Sequence, residues 1–118
     1  MANPNIVNVT TIYGNTAAIA ASTVTTNNVV NPAGSGSLYK INNVIASNIN
    51  SVSASVTLEI NNNGSNNYIA RNMVVPALTT LVIVGKDTAI YLLENSSLQV
   101  TASANVCIHT VASWEQIS

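Results

Sequence analysis

Charge is what this chain of 118 residues has least of, with three Lys and Arg against four Asp and Glu, one His and a formal net charge of -1. Lys40, Arg71 and Lys86 are too few for the basic patch that nucleic acid or anionic lipid would require, so neither is expected as a partner. A soluble monomer ordinarily carries charges of both signs and a net charge of several units. A surface built from neutral groups instead points to one covered by neighbours. Cysteine is almost absent as well, and Cys107 alone excludes an internal disulfide framework. The longest apolar runs, at 81–84 and 89–93, fall far short of the roughly 18 residues of a membrane span. Met1-Ala2-Asn3-Pro4 lacks the cationic start and apolar core of a secretory signal. Synthesis in a cytoplasm is therefore expected, with no membrane partner.

What is abundant is neutral and polar: 19 Asn, 13 Ser and 12 Thr, which divide the apolar residues into short segments. Extended runs rich in Val, Ile, Thr and Tyr occupy 78–84, 89–93, 98–102 and 106–114, separated by Gly85-Lys86-Asp87 and by the turn Glu94-Asn95-Ser96-Ser97. Such runs at this spacing predict an antiparallel sandwich or barrel. The strictest alternation lies at 51–60, where Val52, Ala54, Val56, Leu58 and Ile60 share one face and serines, Thr57 and Glu59 the other. Burying Val56, Leu58 and Ile60 stabilises by roughly 1.5–3 kcal/mol each, a gain that a one-residue register slip would lose. The Asn63-Gly64 pair within 61–67 predicts a tight hairpin turn, with 68–75 returning antiparallel.

Upstream, 6–13 is an extended run that Gly14-Asn15 is expected to end, a first strand or an arm that completes a sheet in its own subunit or a neighbour. Residues 16–26 lack an apolar helical face and become β-branched at Thr23, predicting a strand. Residues 27–37, with Pro32, Gly34 and Gly36, predict an exposed loop. Residues 38–49 predict a strand with a bulge or bend at Asn42-Asn43. The chain thus reads as one all-β domain, an antiparallel β-sandwich of jelly-roll or Ig-like type over 15–118 with about eight strands, preceded by 1–14 as arm or first strand.

Catalytic raw material is scarce. Cys107 and His109 form the one suggestive pair, but alternate residues of a strand lie about 6.5–7 Å apart, which is too far for an immediate dyad. One thiol and one imidazole do not make a zinc site within a chain, although three copies of His109 could meet on a trimer axis. Gly34-Ser35-Gly36 lacks the lysine and helix of a phosphate-binding loop. Tyr13, Tyr39, Tyr68, Tyr91 and Trp114 are expected to cap core edges, ring inward and polar tip outward. No catalytic residue, cofactor or metal is therefore expected.

The succession Val75-Pro76-Ala77-Leu78-Thr79-Thr80-Leu81-Val82, Lys86-Asp87-Thr88-Ala89-Ile90-Tyr91-Leu92, Glu94-Asn95-Ser96-Ser97-Leu98-Gln99-Val100-Thr101-Ala102 and Val111-Ala112-Ser113-Trp114-Glu115 resembles small virion structural proteins of tailed bacteriophages. The resemblance covers 51–115, and in such proteins these segments form the second half of a β-sandwich. It implies a non-enzymatic capsid decoration protein located in the virion, or else a tail, neck, baseplate or fibre component. The implied partners are the major capsid protein or other virion subunits, and the chain is expected to form a homo-oligomer, a trimer by analogy. Interface candidates are Ile6, Val7, Val9, Ile12 and Tyr13, on the first run. The competing class is a carbohydrate- or receptor-binding module, whose contacts would come from Asn62, Asn63, Asn66 and Tyr68.

Overall fold

The computed structural model describes residues 11–105 and 107–118. Its strands are β1 (Ile12–Ala21), β2 (Thr26–Asn31), β3 (Leu38–Asn48), β4 (Ala54–Asn62), β5 (Ser65–Val75), β6 (Thr80–Val84), β7 (Ile90–Leu92), β8 (Ser96–Ala102) and β9 (Ile108–Ile117), with a short 3-10 turn at Lys86–Thr88. One sheet, sheet A, has the order β1-β9-β3-β6, with the three-residue β7 paired to the start of β3. The other, sheet B, has the order β2-β8-β4-β5. Only β4 and β5 are hairpin neighbours within sheet B, and most other connections cross from one sheet to the other. Two four-stranded sheets with this order form a jelly roll, and β7 is the addition that makes nine strands rather than eight among the described residues.

The core lies between the sheets. Ile41, Val44, Leu92, Ile108 and Ala112 close on it from sheet A, and Val29, Val56, Leu58, Val75, Leu98 and Val100 from sheet B. Registered antiparallel partners share a face, so Leu58 and Val100 are buried together, and Trp114, partly buried, packs beside the buried Ile41. Tyr39 and Trp114 stack inside sheet A with ring centroids 5.9 Å apart. The hairpin at Asn63-Gly64 forms as the residues require, with both φ values positive at 54° and 94°. The register of β3 against β9 shifts between Ile41 and Asn43, at the interruption read from Asn42-Asn43.

The structure departs from the sequence pattern in several places, and the strand expected over 16–26 ends at Ala21, with 22–25 forming the turn between β1 and β2. Residues 26–31 form β2 rather than part of an exposed loop, and Asn28, Val29 and Asn31 are buried there. Two asparagines on the inner side disguise it as a polar loop. Gly14 and Asn15 do not end the first run, because both pair within β1 against Glu115 and Trp114. Val52, expected inward, precedes β4 and is exposed, as is Leu78 ahead of β6. The polar turn before β8 is shorter than it reads, since Ser96 and Ser97 already pair with Asn31 and Val30.

Candidate functional site

The residues singled out in the sequence do not converge. Ile6, Val7 and Val9 lie outside the described residues. Ile12 and Tyr13 are exposed at the start of β1, opposite Ile117 and Gln116. Asn62 and Asn63 border a shallow depression together with Glu94 and Asn95. There the Asn62 Oδ1 accepts from Ser96 Oγ at 3.1 Å, and the Asn63 Oδ1 accepts from Asn95 Nδ2 at 2.6 Å. Asn66 and Tyr68 instead lie on the outer face of sheet B, opposite Asn61 and Glu59. The amides of Gly34 and Gly36 both donate to the Glu94 carboxylate, at 3.2 and 3.1 Å, so this glycine pair is occupied by the chain's own anion. Cys107 precedes β9, where its Sγ accepts from Asn50 Nδ2 at 3.2 Å. Among the described residues no three of His, Cys, Asp and Glu come together.

One end of the sandwich, by contrast, gathers apolar side chains from segments far apart in sequence. Strand direction places the β1–β2, β3–β4, β5–β6 and β8–β9 connections at the same end. They present Val24 at 71% exposure, Val52 at 68% and Leu78 at 73%, with Ile49 half-exposed beside them. Residues 22–25, 49–53, 76–79 and 103–107 contain no Asp, Glu, Lys or Arg.

These connections are bonded to one another. Ile49 N donates to Cys107 O at 2.9 Å, Leu78 N to Asn50 O at 3.1 Å, and Thr23 N to Asn105 Oδ1 at 2.9 Å. The buried Asn48 braces them, its Nδ2 donating to the carbonyls of Val52 and Val75 at 2.9 and 3.0 Å while its Oδ1 accepts from Asn50 N. Leu78 holds φ at 55°, a left-handed conformation uncommon for a residue with a Cβ and costly by about 1–2 kcal/mol. A strained, exposed leucine on a braced frame is the kind of outlier that accompanies function.

No protein-family model, curated protein or solved structure matches this chain. Function therefore has to be argued from the surfaces themselves. Beside the apolar end, the outer face of sheet A carries a cross-strand row, Ala18–Val111–Ile45–Val82, without a charged group. His109 lies one row away, between Ala20 and Ser47. The opposite end is formed by residues 32–37, the Asn63-Gly64 tip and the turn at Glu94-Asn95; it carries Glu94 and also exposes Leu93 and, at the start of β1, Ile12 and Tyr13. Lone apolar residues inside polar turns, Val24, Val52 and Leu78, were the signal in the sequence that could have found this end.

Proposed function

We propose that this chain is a non-enzymatic virion structural protein, a decoration subunit that attaches to the shell of a tailed bacteriophage through its apolar loop end. The observation that carries the attachment is the group of Val24, Ile49, Val52 and Leu78 on four mutually bonded connections without one charged residue. An end of this kind loses little conformational entropy on docking and leaves no charge to desolvate. Its cross-section, within extents of 25 × 19 Å, offers roughly 500 Å² to a flat contact, less than the ~800 Å² per partner of a standard interface. A recess in a larger protein would enclose the end and bury more than the flat end of a second copy could.

The phage shell as that partner rests on the resemblance over 51–115, and the jelly-roll order adds support by analogy, since viral capsid domains use it. Side-by-side oligomerisation would use the uncharged row on the outer face of sheet A.

The deciding measurement is the copy number of this chain in purified particles, relative to the major shell protein, by quantitative mass spectrometry. A ratio of one or a simple fraction of it, hundreds of copies per particle, is expected. A few copies to some tens would move the chain to tail, neck or fibre. Absence from particles would overturn the virion assignment altogether.

A further inference from the structure

On the flank away from the uncharged row, β5 departs twice from regular pairing. Val56 faces Met73 and Leu58 faces Ala70, so Arg71 and Asn72 together oppose Thr57; Glu59 then faces Tyr68, leaving Ile69 as a second extra residue. Regular alternation from Tyr68 would send Arg71 to the inner face. The two bulges instead turn Ile69 and Ala70 toward the core and bring Tyr68, Arg71 and Asn72 to the outer face. Asn72 takes the left-handed conformation this needs, with φ at 50°, and its N–H donates to Thr57 Oγ1 at 3.0 Å. The Arg71 guanidinium consequently lies 5.0 Å over the ring of Tyr68, a residue that remains 57% exposed. These groups line a shallow groove with Glu59 and Thr101, and Thr25 and Thr101 share a hydroxyl hydrogen bond of 2.9 Å at its margin.

We propose that this groove binds a neutral hexose unit of a polysaccharide. Two of the chain's seven charged side chains meet here around an exposed aromatic ring, on a surface otherwise almost free of charge. A pyranose has an apolar face of C–H groups that packs on a tyrosine ring, and a rim of adjacent hydroxyls that each donate and accept. The Glu59 carboxylate accepts two hydrogen bonds side by side, and the Arg71 fork donates two, which matches such a diol from both directions. An anionic sugar would meet Glu59 and a cationic ligand Arg71, so a neutral ligand fits both. The groove lies on the outer face of sheet B and adjoins the apolar loop end only through Thr25, while Glu59, Tyr68 and Arg71 lie on the strands β4 and β5.

The test is a ¹⁵N NMR titration of the full chain with maltohexaose, cellohexaose, mannohexaose and galactohexaose at millimolar concentration. At least one is expected to shift the amides of residues 57–59, 68–72 and 99–101 and leave the remainder in place. Tyr68→Ala and Glu59→Gln should each weaken that binding about tenfold, and so should Arg71→Lys, which keeps the charge but loses the planar fork. Silence from all four probes overturns the assignment, as does unchanged binding by Tyr68→Ala with a native spectrum. The free chain is the sample, so the result is independent of whether the protein attaches to a virion.

Discussion

Two asparagines three residues apart in β2 show how differently the same buried amide can behave. Asn31 is fully enclosed, and its Nδ2 donates to the carbonyls of Ser37 and Leu92 at 3.0 and 2.9 Å while its Oδ1 accepts from Ser35 Oγ at 2.6 Å. It joins β2 to the connection ahead of β3 and to the end of β7. Asn31→Ala removes the partner of two buried carbonyls, so chemical denaturation should show a loss of about 2–3 kcal/mol. Asn28, at the bulge of β2, is also buried, but both its amide atoms lack a partner among the described residues. Asn28→Val should therefore raise stability by about 1 kcal/mol in the same assay, because it removes polar atoms that are desolvated without return. A loss at this position would mean that the amide does stabilise the fold and that its burial is compensated after all. Leu92 is the simpler case: it has no exposed surface and packs in the central cluster. Leu92→Asp places an unpaired carboxylate there at a cost of several kcal/mol, against a total of about 5–15, and should leave no cooperative unfolding transition in circular dichroism.

At the scale of elements, legibility followed alternation. The alternation read over 51–60 and 98–102 predicts the centres of β4 and β8 but not their ends, since β4 starts at Ala54 after the exposed Val52 and β8 already starts at Ser96. The Asn63-Gly64 turn was equally readable because its chemistry is local. Gly64 has φ at 94° and open space around its missing Cβ, so Gly64→Val should cost about 1–2 kcal/mol through backbone conformation alone, measured as a shift in urea midpoint at unchanged slope. A shift no larger than that of an exposed strand substitution would show that the turn relaxes to another type. What alternation hid were the interruptions. Asn28 and Asn31 made β2 resemble a loop, and the double bulge at 68–73 is invisible in composition, since Ile69, Ala70, Arg71 and Asn72 simply read as a broken pattern. Those interruptions matter more for function than the regular strands, because they place Arg71 over Tyr68.

For the whole molecule, the sandwich itself was readable from period and turn spacing, whereas the apolar end was not. Val24, Ile49, Val52 and Leu78 are separated by up to 54 positions, and only the jelly-roll connectivity brings their four segments to one end. Taken singly, each looks like one apolar residue in a polar turn, which is ordinary on any surface. Together with the left-handed backbone of Leu78 they make a trade-off that can be measured. Asparagine tolerates that conformation better than leucine, and an exposed side chain has little packing to lose. Leu78→Asn should therefore leave the fold intact and raise its stability by about 0.5–1 kcal/mol. The same substitution puts an amide into the apolar end, and Val52→Asp puts a charge there. Both variants should fold, and both should fail to co-sediment with particles that lack the native chain, Val52→Asp more completely because its charge would have to be desolvated. Stable variants that still co-sediment would remove the loop end from the attachment surface and leave the uncharged row on sheet A to carry it. A Leu78→Asn protein that is less stable than the native one would instead show that the leucine is held for packing, and that its backbone conformation has no functional cause.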